Sequence, residues 1–306
     1  LLLSTGKIDD ASLLLQKATK DAPNDFPLQL LQARVALLKG DMGTAESSFR
    51  MAEKLEPKNM DVKQGLADLA ERRGDWNMLA EIADKTIQMR PDLAAGYLWR
   101  ATAEASRKEY DKAEADYELV LKNNPDNAVA YLELGQIHIL QGHLPEGKAM
   151  LEKAVDKDPN AVRALKILMA YDMQAKQPAK ALARVQAAIA RSPKNANLYD
   201  ELAIAQLETK DYNGALDSSK KAMQLDPSSG GAAQVYTQAE IALGQIDPAI
   251  ATWEQWMTSH PGDAHALAIL GTLEESKNDS AKAMDYYKKA LQIDSNNYVA
   301  ANNLAY

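Results

Sequence analysis

Apolar residues along this chain come in short runs at steps of three and four, with polar breaks between them. Residues 128–161 show the pattern. A first run takes Tyr131, Leu134, Gly135 and His138, and a second takes Ala149, Leu151, Ala154 and Val155. Such steps place the side chains on one face of a helix. The break between the runs is Gln141-Gly142-His143, and Lys157-Asp158-Pro159-Asn160 closes the segment. Two helices of roughly 12 to 14 residues and two short turns fill such a length.

The same pair of runs recurs every 34 residues. Pro23, Pro57, Pro91, Pro125, Pro159, Pro193, Pro227 and Pro261 keep this interval without a break, and Ser295 takes the next place. A fixed period of this length means one supersecondary unit copied along the chain. Eight complete copies follow, at 26–59, 60–93, 94–127, 128–161, 162–195, 196–229, 230–263 and 264–297. Residues 1–25 read as the back part of an earlier copy and 298–306 as the start of a later one. The remaining prolines, Pro27, Pro145, Pro178 and Pro248, fall where a helix should begin, and the first-turn N–H groups there have no helical partner to lose.

Small residues recur at two places. The eighth place of successive copies holds Ala33, Ala67, Ala101, Gly135, Met169, Ala203, Thr237 and Gly271. The twentieth holds Ala45, Leu79, Ala113, Gly147, Ala181, Ala215, Ala249 and Ala283. Facing small residues let two helix backbones approach while larger neighbours interlock.

This pattern resembles the tetratricopeptide repeat over the whole chain. Copy 196–229 carries it as Tyr199, Leu202, Ala203, Tyr212, Ala215, Ala222 and Pro227, and copy 264–297 as Leu267, Leu270, Gly271, Ala283, Tyr287 and Ala290. The resemblance implies an all-α fold, a right-handed α-solenoid or superhelix of antiparallel helix pairs. It also implies a concave face, lined mainly by first helices, that binds a peptide or partner protein. The expected domain is one continuous solenoid over 1–306, because neighbouring repeats share their cores.

Carried over place by place, the groove lining is Leu98, Trp99, Thr102 and Ala105 from 94–127, then Leu132, Gln136 and Ile139 from 128–161. Next come Arg163, Lys166, Ala170 and Met173 from 162–195, then Asp200, Ile204 and Leu207 from 196–229. Exposed aliphatic and aromatic residues on such a face suit an extended segment or a helix. Family members that grip a terminal carboxylate of chaperones use Lys and Asn. Lys166 fills one such place, but Ala170 stands where the Asn belongs. The Asn ladder of glycosyltransferase arms is also missing, with Asn302 and Asn303 alone at the end.

The formal charge of −8 argues against nucleic acid as a main partner, since phosphates need clustered Lys and Arg. No apolar run is long enough to cross a bilayer. With no cysteine there is no disulfide or thiolate metal site, and the compartment stays open between a bacterial cytoplasm and periplasm. His138, His143, His260 and His265 do not converge as metal ligands should. Gly230-Gly231 reads as a flexible turn, for lack of the strand and Lys-Ser/Thr of a phosphate loop. No cofactor or metal is expected.

Three further expectations are specific. Arg100 stands where most copies have Leu and should pair with Asp116 on the second helix of its copy, with Glu104 one turn along. Trp256 stands where most copies have Ala, so stacking should change in copy 230–263, which also holds Trp253. Both ends cut through a repeat, as in a segment of a longer protein. Leu1, Leu2 and Leu3 at one end and Leu304 and Tyr306 at the other should therefore favour end-to-end self-association.

The functional expectation is a non-catalytic scaffold that binds a protein or peptide in its groove. The alternative is an accessory arm of a larger enzyme, or of an envelope or polysaccharide-export assembly like those served by long bacterial repeat proteins, with the activity lying elsewhere.

Overall fold

The computed structural model describes residues 8–304, and among them every regular element is an α-helix. Leu1, Leu2, Leu3 and Tyr306 lie outside the described residues, while Leu304 packs on a cluster built around Leu267 and Tyr287. The chain divides into two compact units, Leu1–Ala154 and Val155–Tyr306, and each is a stack of antiparallel helix pairs. The first unit holds α1 (Ile8–Asp21) and then the pairs α2 (Phe26–Lys39) with α3 (Met42–Leu55), and α4 (Met60–Arg73) with α5 (Trp76–Met89). It continues with α6 (Ala94–Ser106) and α7 (Tyr110–Asn123), then α8 (Ala128–Leu140) and α9 (Leu144–Lys157), whose last residues, from Val155 on, fall in the second unit. The second unit holds α10 (Val162–Gln174) with α11 (Pro178–Arg191), and α12 (Ala196–Glu208) with α13 (Tyr212–Leu225). There follow α14 (Gly230–Ala242) with α15 (Ile246–Ser259), α16 (Ala264–Ser276) with α17 (Ser280–Ile293), and finally α18 (Tyr298–Leu304).

The eighth and twentieth places lie in the core of every complete pair. Ala33, Ala45, Ala67, Leu79, Ala101, Ala113, Ala181, Ala203, Ala215 and Ala249 are fully buried, and Met169, Thr237 and Ala283 nearly so. In the pair α8–α9 two glycines bring the backbones together. A Cβ built on Gly135 would stand 2.9 Å from the Gly147 carbonyl oxygen, and one on Gly147 would stand 2.7 Å from that of Gly135. Neither backbone can retreat without disturbing the apolar layer beside it, where Leu134 and Ile137 are buried with Tyr117.

The turn inside each pair is built alike in all eight copies. Its fifteenth place holds Gly40, Gly74, Lys108, Gly142, Lys176, Lys210, Gly244 and Asn278, all with φ between 58° and 86°. This left-handed residue ends the first helix and directs the next N–H back onto it. The amides of Asp41, Asp75, Glu109, His143, Gln177, Asp211, Gln245 and Asp279 each donate to a carbonyl five residues earlier, at 2.7–3.0 Å. That is the Schellman bond, which satisfies a carbonyl the helix leaves open. In four copies the residue after the left-handed one also caps the second helix. The carboxylates of Asp41, Asp75, Asp211 and Asp279 accept from the amides of Thr44, Met78, Gly214 and Lys282 at 2.9–3.1 Å. The period-setting prolines sit in the turns between pairs, and Pro27, Pro145, Pro178 and Pro248 fall within the first three residues of a helix.

Trp256 is accommodated by volume removed elsewhere in its own copy. Its indole lies beside Gly230 and Ala233, and a Cβ on Gly230 would meet Trp256 Cζ2 at 3.7 Å. The place held by Ala233 is Tyr97, Tyr131, Leu165, Tyr199 or Leu267 in other copies. A large residue has moved from the first helix to the second. The displaced indole stacks on His260 with centroids 4.0 Å apart and donates from Nε1 to Asp263 at 2.9 Å. Beside it a pocket of about 370 Å³ opens between α13 and α15, with Tyr236 and Met223 among its walls. Gly230 and Gly231 are therefore not a flexible turn but the first residues of α14, capped by Ser229, whose Oγ accepts from the Ala232 amide at 3.2 Å.

Two outcomes are expected from thermal unfolding followed by circular dichroism. Gly147→Val should destabilise the chain by about 1–3 kcal/mol, because its branched side chain meets the Gly135 carbonyl oxygen and the Ile139 side chain at once. Trp256→Ala should lower the midpoint, and Trp256→Ala with Ala233→Tyr should recover at least half of the loss. An unrecovered double variant would refute the volume exchange.

Candidate functional site

The residues expected to line a groove divide between the two units. In the first unit Trp99 is only 6 % exposed and lies in the cluster with Ile82 and Ala83 of the preceding pair. Leu132 is 9 % exposed and also buried. Both expectations are corrected. The sixth place points back at the preceding pair rather than away from it, and Leu132 is covered too deeply to offer a contact surface. Leu98 and Ala105 rest on the cluster around Tyr117. The Thr102 hydroxyl donates to the Leu98 carbonyl at 2.9 Å and stands 3.2 Å from the Tyr117 hydroxyl. Gln136 donates from Nε2 to Glu133 at 3.1 Å, and Ile139 is half-buried.

In the second unit the lining is more open. Arg163, Lys166 and Ala170 are exposed, and Met173, Asp200, Ile204 and Leu207 are half-buried. Lys166, Ala170, Met173 and Ile204 come together around a pocket of about 110 Å³ between α10 and α12, completed by Met169, Glu201, Ala205 and Glu208. The last four were not foreseen, although Glu208 lies one helical turn beyond Ile204 and could have been found by extending that stripe. Lys166 Nζ reaches across to Glu201 Oε1 at 3.1 Å. Ile204 and Leu207 also pack on Ala203, Ala215, Val235 and Ala239, so the elements beneath fix their positions. Asp200 accepts from Ser229 Oγ at 3.1 Å with one oxygen, while its other, Oδ1, is buried with no partner. Burial pushes its carboxyl up, the Ser229 bond opposes this, and nearby Glu201 and Asp226 push the same way as burial. A second apolar pocket of about 140 Å³ lies further along, where Ile241, His265, Ile269 and Val299 meet.

Polar chemistry gathers at another place, the eleventh, which from the third complete copy onward holds Glu104, His138, Asp172, Gln206, Glu240 and Glu274. Each faces the interior of its pair. Asp172 is raised by burial, but Arg184 at 2.6 Å and Lys180 at 3.2 Å more than offset this and hold it below the usual carboxylate range. Gln206 accepts from Ser218 Oγ at 2.6 Å. His138 Nε2 stands 3.6 Å from Glu114, and its Nδ1 is buried without a partner. Glu104 is raised first by burial and then by Asp116. Arg100 pairs with Asp116 as expected, through Nε at 2.7 Å and Nη2 at 2.9 Å, and a third contact reaches Asp84 at 3.3 Å. This ties α6 to α7 and to α5, so its guanidinium is held by carboxylates within the fold. Among the described residues no three His, Asp or Glu are grouped to hold a metal ion, and no helix is long and apolar enough to cross a membrane.

Glu240 is 2 % exposed, and burial pushes its carboxyl up to about 7, opposed only by the hydrogen bond from the Tyr236 hydroxyl. The folded chain therefore keeps a proton that the unfolded chain releases near the ordinary glutamate value of 4.5. Stability from this group is fully present below that value and is lost as pH rises to about 7. Glu240→Gln should raise stability by about 1–3 kcal/mol at pH 8 and leave it unchanged at pH 4, in paired chemical-denaturation curves.

Three family models, each for the tetratricopeptide repeat, match residues 1–59 and 171–230, residues 104–170 and 206–273, and residues 264–297. Mouse Superkiller complex protein 3 is 23 % identical over 94 % of this chain, and human Protein O-mannosyl-transferase TMTC3 is 25 % identical over 94 %. The chain spans 19 % and 34 % of their respective lengths. Anaphase-promoting complex subunit 3 of Schizosaccharomyces pombe is 22 % identical over 75 % of the chain, and 29 % of that protein is covered. Among solved structures, the fold matches a TPR repeat-containing protein of Cytophaga hutchinsonii with a TM-score of 0.53 at 20 % identity, covering 78 % of this chain and 98 % of that one. It also matches the APC/C hetero-tetramer Cut9-Hcn1 with a TM-score of 0.50 at 16 % identity, covering 98 % and 58 %. Repeat period, helix pairing and family models agree, and the chain belongs to the tetratricopeptide repeat family, whose stacked helix pairs form protein-interaction scaffolds.

Proposed function

We propose that this chain is a non-catalytic scaffold holding a peptide or a segment of a partner protein against the face of its first helices. One observation carries the reading. Met173 and Ile204 keep apolar surface open on the first helices of the second unit, around a preformed pocket that no second helix lines. Apolar surface held in place by the core beneath it binds without the cost of ordering a mobile loop. The most strongly coupled polar groups point inward and hold one another, as Arg100 does with Asp116 and Asp172 with Arg184, which favours binding over chemistry. The names of the Superkiller and anaphase-promoting complex relatives also speak for an assembly role.

The second reading is an accessory arm of a larger enzyme. It is favoured by the likeness to an O-mannosyl-transferase of which only 34 % is matched.

The test is affinity capture with the purified chain, comparing wild type with Met173→Ser plus Ile204→Ser. The expected outcome is a partner recovered by wild type and lost at least tenfold by the variant, with matching helical melts. Equal recovery by both proteins would overturn the groove. Tethered catalytic activity in the full polypeptide, lost when this segment is deleted, would favour the second reading.

A further inference from the structure

The charge around the α10–α12 pocket is one-sided. Asp200, Ile204 and Glu208 follow one another at intervals of four along α12, so one stripe carries a carboxylate, an apolar side chain and a second carboxylate. Glu201 stands beside them on the pocket wall. Lys166 is the one cation among the described residues lining the pocket, and it is already bound to Glu201 at 3.1 Å. Asp200 has a buried oxygen with no donor, and Ser229, which is neutral, is its one hydrogen-bond partner. Glu208 is exposed, with no ion pair among the described residues. Burial raises Asp200, and no lysine or arginine pulls it back. Glu208 on the pocket wall and Asp200 one helical turn before Ile204, just outside the lining, thus stand at the two ends of an apolar step. No lysine or arginine is paired to either among the described residues, and a cation brought by a ligand would supply what the fold omits.

Resting on the groove reading above, we infer that this site takes an extended segment of a partner protein with a Lys or Arg on each side of one apolar residue. Spacing sets the pattern. Eight residues of helix separate Asp200 from Glu208 by about 12 Å. An extended chain advances about 3.3 Å per residue and presents alternate side chains on one side. Basic residues at the first and fifth positions therefore match the two carboxylates, and an apolar residue at the third enters the pocket over Ile204 and Ala205. The polarity is the reverse of a site for acidic tails, in which Lys166 would have to be unpaired.

The test is selection from a random dodecapeptide phage library on the immobilised chain, followed by fluorescence anisotropy with the best synthetic peptide. The expected result is enrichment of Lys or Arg two residues either side of an apolar residue. Affinity should fall at least tenfold for Asp200→Asn with Glu208→Gln, and again when the basic residues of the peptide become Glu. Selected peptides that lose binding on Ile204→Ser yet carry no basic enrichment would overturn this inference and leave the groove intact. Selected peptides indifferent to Ile204→Ser, or no enrichment after four rounds, would remove the groove reading and this one with it.

Discussion

The fold depends on one contact layer built eight times, in which the eighth place of a first helix and the twentieth place of the second are both buried inside their pair. Where both are alanine, as at Ala33 with Ala45 and Ala101 with Ala113, neither methyl reaches solvent. Where both are glycine, at Gly135 and Gly147, each backbone carbonyl blocks the place of the other's missing side chain. Close approach then lets Leu134, Ile137 and Tyr117 interlock with few voids. Each pair needs its neighbour to finish burying this layer, which is why the period is strict while most surface positions vary.

Around that contact the interior carries more polarity than its spacing suggests. The eleventh place is alanine at Ala36 and Ala70 and then polar in every later complete copy. Some of these groups are satisfied within the pair, as with Asp172 and Gln206, while Glu104, His138, Glu240 and Glu274 each leave one atom without a partner. Burying such groups costs more than an alanine would. The expense is spread over separate pairs, so no single core carries all of it.

Architecture was legible from the sequence because proline spacing and small-residue places are local signals that repeat. The Arg100–Asp116 pair was legible because Arg100 breaks a place held by Leu66, Leu134, Leu168 and Leu202, and Asp116 offers a carboxylate on the second helix of the same copy. Three features were hidden. Trp99 and Leu132 read as groove residues because hydrophobicity at a helix face does not say which neighbour covers it, and burial decides that. Gly230 and Gly231 read as a turn because glycine weakens a helix on average, whereas here they open a helix that Ser229 caps. The left-handed place was disguised by composition, with lysine at 108, 176 and 210 where glycine would be the cheaper choice. The pocket between α10 and α12 was half legible. Lys166, Ala170, Met173 and Ile204 follow the family spacing, but Met169, Glu201, Ala205 and Glu208 sit just outside the expected lining.

The uniform turn has a consequence for how such a surface can change over time. At every one of these bends the main-chain donor after the left-handed residue is already committed to the helix before it. A visiting strand finds no row of vacant amides to pair with, and discrimination among visitors falls to side-chain identity alone. Exchanging a few outward groups can thus redirect allegiance while the bends, and the stack they hold, stay as they are.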